Sequence, residues 1–280
     1  MKRLAPALTV LLLAGCSLVG LGYKRLPTLV YWRLDNMVDL SDAQTAWLRP
    51  ALDNLHAWHR REQLPIYERT LRQWADKVAQ DTTPDELCRQ FDNLRPGFDQ
   101  LVQQALPALA RLASDLSAAQ RQHLLRYHQK QDAAFLADFG GDRPGVVGRK
   151  RLERAIDRAE MLYGDLTPAQ EALLEQGLAR SAFDANRTLQ ERQRRQADMW
   201  AAVERVQAGA PALPTVQAVW TRYTASPTPG YNSYSATTQR QACELLAALH
   251  NSTATAQRAQ AAKTLLGYAN DVAQLGPTSP

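Results

Sequence analysis

The residues of this chain whose types and spacing could do chemistry are two histidines beside a glutamate, and three cysteines. His56-Ala57-Trp58-His59-Arg60-Arg61-Glu62 sets two imidazoles and a carboxylate at successive three-residue steps. On a helix this superficially resembles a metal face or an acid–base pair, the equipment of a hydrolase or a metal-dependent enzyme. Steps of three drift around a helix of 3.6 residues per turn, however. The usual zinc helix carries histidines at four-residue spacing with a glutamate between them, and no third histidine lies close in sequence here. His56 also continues the row of Leu48 and Leu52, so a structural or capping role is expected, with His56, His59 and Glu62 kept as weak metal candidates. His123, His128 and His250 stand alone and have the same reading.

Other catalytic patterns are missing. No Gly-x-Ser-x-Gly, no glycine-rich phosphate loop and no Cys-x-x-Cys occurs, so the usual hydrolase, nucleotide and thiol-redox readings lose support. Asp85 and Glu86 near a helix start, and Glu153 and Asp157 one turn apart, suit caps and exposed ion pairs. No catalytic residue is assigned and no cofactor is expected.

Cys16 ends the string Leu13-Ala14-Gly15-Cys16, after an apolar run from Leu8 and a start carrying Lys2 and Arg3. An apolar run of about ten residues is too short to span a hydrocarbon core of roughly 30 Å. The string resembles a bacterial lipoprotein signal peptide over residues 1–15. In that pattern the Cys16 sulfur takes a diacylglycerol, cleavage falls before Cys16, and the new amino terminus is acylated. An uncleaved N-terminal helix or a plain secretory signal with a chance cysteine are the other readings. Each buried methylene contributes about 0.8 kcal/mol, so two or three acyl chains would hold the protein on a membrane almost permanently. Ser17 follows where the inner-membrane retention signal would place Asp, and the resemblance therefore implies the periplasmic face of the outer membrane. Lys24 and Arg25 follow closely enough to meet anionic headgroups.

The formal charge of +5 falls by two when Lys2 and Arg3 leave, too little to argue for nucleic acid. Cys88 and Cys243 then remain, and an oxidising periplasm permits a Cys88–Cys243 disulfide. Two buried free thiols acting as small hydrophobes are the alternative.

Apolar residues at three- and four-residue spacing run through the chain, and alternating β-branched runs are missing, so the fold is expected to be all-α. Asp39-Leu40-Ser41-Asp42-Ala43-Gln44, Asp115-Leu116-Ser117-Ala118-Ala119-Gln120 and Asp165-Leu166-Thr167-Pro168-Ala169-Gln170 each read as a capped helix start, and Thr83-Pro84-Asp85-Glu86 as a fourth. These caps and the prolines predict about ten helices: 41–62, 64–80, 83–94, 97–113, 117–139, 146–164, 167–208, 212–225, 236–250 and 254–274. They would form an antiparallel bundle or array of helical hairpins after the signal peptide. A membrane-proximal segment over 16–40, a helical domain over 41–275 with subdomains 41–139 and 146–275, and a disordered tail over 276–280 complete the layout. Two basic clusters, Arg149-Lys150-Arg151 with Arg154 and Arg158, and Arg187 with Arg192, Arg194 and Arg195, read as solvated, ion-paired faces or as contacts for anionic lipid or an acidic client.

Tyr31-Trp32-Arg33-Leu34-Asp35, the Ser41 phrase, and Trp58-His59-Arg60-Arg61-Glu62-Gln63-Leu64-Pro65-Ile66-Tyr67 resemble a family of uncharacterised proteobacterial lipoproteins. That resemblance implies an anchored helical periplasmic domain and supplies no catalytic residues. The three Leu-Ser/Thr-x-x-Gln phrases are similar to the motif of Spy/CpxP-type periplasmic chaperones. The expectation is a non-enzymatic, lipid-anchored binding, scaffold or chaperone-like protein with an envelope protein partner. An envelope hydrolase or metal-dependent enzyme using His56, His59 and Glu62 is the alternative.

Overall fold

The computed structural model describes residues 18–276, so Cys16 and the tail beyond Gly276 lie outside the described residues. Twelve helices follow one another: α1 (Leu18–Lys24), α2 (Leu26–Val38), α3 (Asp42–Glu62), α4 (Leu64–Lys77), α5 (Pro84–Asp115), α6 (Ala118–Phe139), α7 (Arg149–Tyr163), α8 (Pro168–Arg180), α9 (Ala185–Gln207), α10 (Ala212–Thr224), α11 (Tyr231–Asn251) and α12 (Thr255–Leu275). The fold is all-α, with no strand among the described residues. No described helix is long and apolar enough to cross a membrane.

The four capped starts begin α3, α5, α6 and α8, each with a complete capping box. Three of their third helical residues are glutamines, and these do more than cap. The Gln44 amide nitrogen donates to the Asp115 carbonyl at 3.0 Å and to Gln120 Oε1 at 3.1 Å, while the Gln120 nitrogen donates to the Asp39 carbonyl at 2.7 Å and to Gln44 Oε1 at 2.6 Å. Gln170 finds the same partner arrangement at the start of α12. It donates to the Ser252 carbonyl and Gln257 Oε1, and Gln257 donates to the Asp165 carbonyl and Gln170 Oε1. In every case the carbonyl lies two residues before the partner helix's cap. Two reciprocal clasps therefore bind α3 to α6 and α8 to α12 by their N-termini. All four glutamines also keep the hydrogen bond to their own cap's backbone amide, so their buried polar atoms are satisfied.

Helices from the two halves of the chain interleave. The most extensive packing is α4 along α12, and α5 runs between α9, α10 and α11. A disulfide joins Cys88 on α5 to Cys243 on α11, with Cα atoms 5.6 Å apart. One core gathers Val78, Ala159, Leu174, Leu249 and Leu265; a second joins Val38, Leu112, Leu116 and Val203.

Several boundaries differ from expectation. Residues 18–38, expected as a connecting segment, form α1 and α2, and the buried Tyr31 bonds Thr45 across to α3 at 3.0 Å. The predicted helices 83–94 and 97–113 are one, because α5 continues through Pro96. Tertiary packing outweighs the proline there: a Cβ at Gly97 would stand 2.9 Å from Oε1 of the fully buried Gln63, so the backbone is seated tightly against the α3–α4 junction. The long helix predicted over 167–208 breaks at 181–184, where the Ser181 hydroxyl accepts from the Phe183 amide and the Asp184 carboxylate caps α9.

Candidate functional site

Six helices fail to close completely on one another and leave a cavity of about 940 Å³ between α4, α5, α7, α8, α11 and α12. Its α7 wall comes from Arg151, Ala155, Arg158, Ala159 and Leu162, a face built by three- and four-residue steps in which two alanines leave the space that larger side chains would fill. Leu245, Leu246 and Leu249 supply the α11 wall in the same way, and Trp74 and Phe91 extend the apolar lining from α4 and α5. On α8, Gly177 lets that helix approach α11 closely, since a Cβ there would meet Leu245 Cδ1 at 2.3 Å. Phe91 and Leu246 keep about 40% of their surface exposed at the mouth (41% and 39%). The disulfide pins together the two helices that carry them.

Buried polar groups of the floor are occupied. The Nε2–H of His250 donates to the Gln80 carbonyl at 2.7 Å, which leaves Nδ1 to accept the Tyr163 hydroxyl at 2.8 Å. Burial pushes the Tyr163 phenol up to about 12. Trp74 donates its indole N–H to Gln90 at 2.8 Å. What remains facing the cavity is mainly apolar, with Ser181, Thr238 and Gln241 among the lining and charged groups toward its edge.

Charge at the cavity edge is lopsided. Both acids there are committed elsewhere: Asp81 pairs with Arg258, and Glu86 closes the Thr83 cap, whose hydrogen bonds hold its carboxyl below the usual range. Arg151 donates to the Leu178 carbonyl at 3.3 Å and lies over the Phe183 ring; burial lowers its pKa while nearby Asp142 opposes the shift. Lys77, Arg89 and Arg158 also line the cavity, are exposed, and form no ion pair among the described residues.

The chain matches the model of a family of unknown function, DUF6279, over residues 36–221. It belongs to that family. No curated protein and no solved structure matches it. The DUF6279 match takes in the α4, α5, α7 and α8 walls of the cavity and stops before α11 and α12, which supply the remaining walls.

The expected histidine row is divided by the fold. Tyr23 of α1 inserts between His56 and His59, with ring centroids 4.7 Å and 5.9 Å away, and its hydroxyl shares a 2.8 Å hydrogen bond with His59 Nδ1. Glu62 turns away to an exposed pair with Arg61. Burial lowers the pKa of both histidines, with Arg60 adding to the effect at His56, so both are neutral imidazoles near pH 7. No group of three or more metal-ligating side chains occurs among the described residues. The pair locks α1 onto α3.

The basic clusters separate into two kinds. Arg149, Lys150 and Arg154 pair with Glu153 or Asp138, and Arg192, Arg194 and Arg195 pair with Asp132 or the buried Glu191. Only Arg151 and Arg158 of these clusters reach the cavity. Lys24 and Arg25 are exposed at the α1–α2 junction. Sequence reading missed the cavity itself; its one signal was the small residues Ala155, Ala159 and Gly177 on otherwise apolar helix faces.

Proposed function

We propose that this DUF6279 member is a non-enzymatic binding protein, lipid-anchored through Cys16 on the periplasmic face of the outer membrane, which receives a single acyl chain in the cavity between α4, α5, α7, α8, α11 and α12. The cavity is the observation that carries the reading. Its 940 Å³ lies within the roughly 300–1,000 Å³ of small-molecule sites, its walls are mainly apolar, and its mouth is open. An acyl chain is the apolar matter a membrane-anchored protein meets most often, and its burial gains about 0.8 kcal/mol per methylene.

The anchored placement draws support from α2. Leu29 and Trp32 are 45% and 59% exposed on the face opposite Tyr31 and Val38, with Leu26 beside them and Lys24 and Arg25 at the helix start. An apolar stripe flanked by cations suits a bilayer surface, and it begins ten residues after Cys16.

Titration of the mature chain carrying Cys16→Ser with a neutral fluorogenic naphthylamine tests the reading. One saturable site per chain is expected, weakened at least tenfold by Ala155→Trp and by Leu246→Trp, which fill the cavity from opposite walls. Absence of saturable binding, or affinity unchanged in both folded variants, overturns it.

A further inference from the structure

We infer that the guest is an anionic amphiphile, with its acyl chain in the cavity and its carboxylate or phosphate held at the edge between Lys77 and Arg158. The inference rests on the acyl-chain reading of the same cavity and adds the head group. Three observations carry it. Every acid at the edge already has a partner: Asp81 is paired with Arg258, which also donates to the Ala79 carbonyl at 3.0 Å, and Glu86 is held by Thr83. Lys77, at the last turn of α4, and Arg158, on the cavity face of α7, have no acidic partner among the described residues. Their exposure lets each side chain reach a group at the mouth while its alkyl stem covers apolar wall. Two further cations belong to the lining: Arg151, on the same face of α7 two turns before Arg158, whose fork is only partly engaged by the Leu178 carbonyl, and Arg89, exposed on α5 near the capped Glu86.

Such an arrangement discriminates by charge. A carboxylate or phosphate at the mouth meets uncompensated cations at the border of a low-dielectric cavity, where attraction is stronger than in bulk water. A neutral head finds donors but no charge complement, and a cationic head is repelled. Arginine accepts either acid through paired N–H groups, and lysine as a point charge, so the edge fits free fatty acids and lysophospholipids with a phosphate monoester alike.

The test holds the chain length fixed and changes the head. Palmitate, hexadecanol, hexadecyltrimethylammonium and palmitoyl lysophosphatidate each compete with the naphthylamine probe on the mature Cys16→Ser chain, below their micelle thresholds and at low and moderate salt. The expected order places one or both acids at least tenfold above hexadecanol, and the ammonium last, with salt narrowing the gap. Whichever acid binds tighter names the source of the head group. Lys77→Glu and Arg158→Glu are expected to remove the preference for acids while leaving hexadecanol affinity unchanged; both residues are exposed and unpaired, so the variants fold. Hexadecanol binding as tightly as both acids, or a preference that survives both charge reversals, overturns the inference and leaves the cavity reading standing. Failure of every amphiphile and of the probe to bind overturns both.

Discussion

Replacing Gln44 and Gln120 singly and together measures how much the reciprocal clasp holds the bundle. Both residues are nearly inaccessible, at 4% and 7% exposed. Gln44→Ala removes four hydrogen bonds: one from the Ser41 amide, one to the Asp115 carbonyl, and two shared with Gln120. At a net contribution of about 1 kcal/mol per bond, each single variant loses about 4 kcal/mol. The two shared bonds are lost in either single variant and cannot be lost twice, so the double variant loses about 6 kcal/mol, a coupling of about 2 kcal/mol. Glu86→Ala is the control, because that box is exposed and has no partner box, and a much smaller loss is expected there. Urea unfolding followed by helical circular dichroism gives all four values. Additivity within about 0.5 kcal/mol would refute the clasp as a coupled unit and reduce Gln44 and Gln120 to independent caps.

Three further outcomes are expected. His56, His59 and His128 all have pKa values lowered by burial, so below about pH 6.5 the unfolded chain binds more protons than the folded one. Stability is therefore full above that pH and declines as pH falls toward 5, and His56→Gln/His59→Gln flattens part of the decline in a melting series; an unchanged slope would contradict neutral burial of the pair. Removing the Cys88–Cys243 link, which spans 155 residues of sequence, costs up to about 5 kcal/mol by chain entropy. A double serine variant with the parent's urea midpoint would show that the link adds nothing. Cys16→Ala is expected to leave unprocessed protein that no longer partitions into detergent, and normal partitioning by that variant would refute the anchor.

Local chemistry was legible in the sequence where a complete capping box wrote it. The four boxes start helices at Ser41, Thr83, Ser117 and Thr167 because each needs only residues within one turn. The clasps were not legible, since a glutamine that caps and a glutamine that also bridges to a second helix look the same in one dimension; Gln257 escaped notice altogether because Ala254 replaces the hydroxyl residue. Continuity through Pro96 is likewise decided by what packs alongside, whereas the break at 181–184 is set by the local Ser181 turn and Asp184 cap, which reading the sequence passed over. The histidine row drew attention by residue type, yet Tyr23, distant in sequence, fills it. The cavity depends on six helices and left only small residues as its trace.

Photo-crosslinking with a palmitate analogue carrying a diazirine in its alkyl chain tests the central claim most directly. Peptide mapping of the labelled mature chain should place the label on the cavity faces of α5, α7 and α11, around Phe91, Ala155, Leu245 and Leu246, with excess palmitate protecting them. Label confined to the exposed α2 face at Leu29 and Trp32, or spread without protection, would contradict an acyl chain in the cavity.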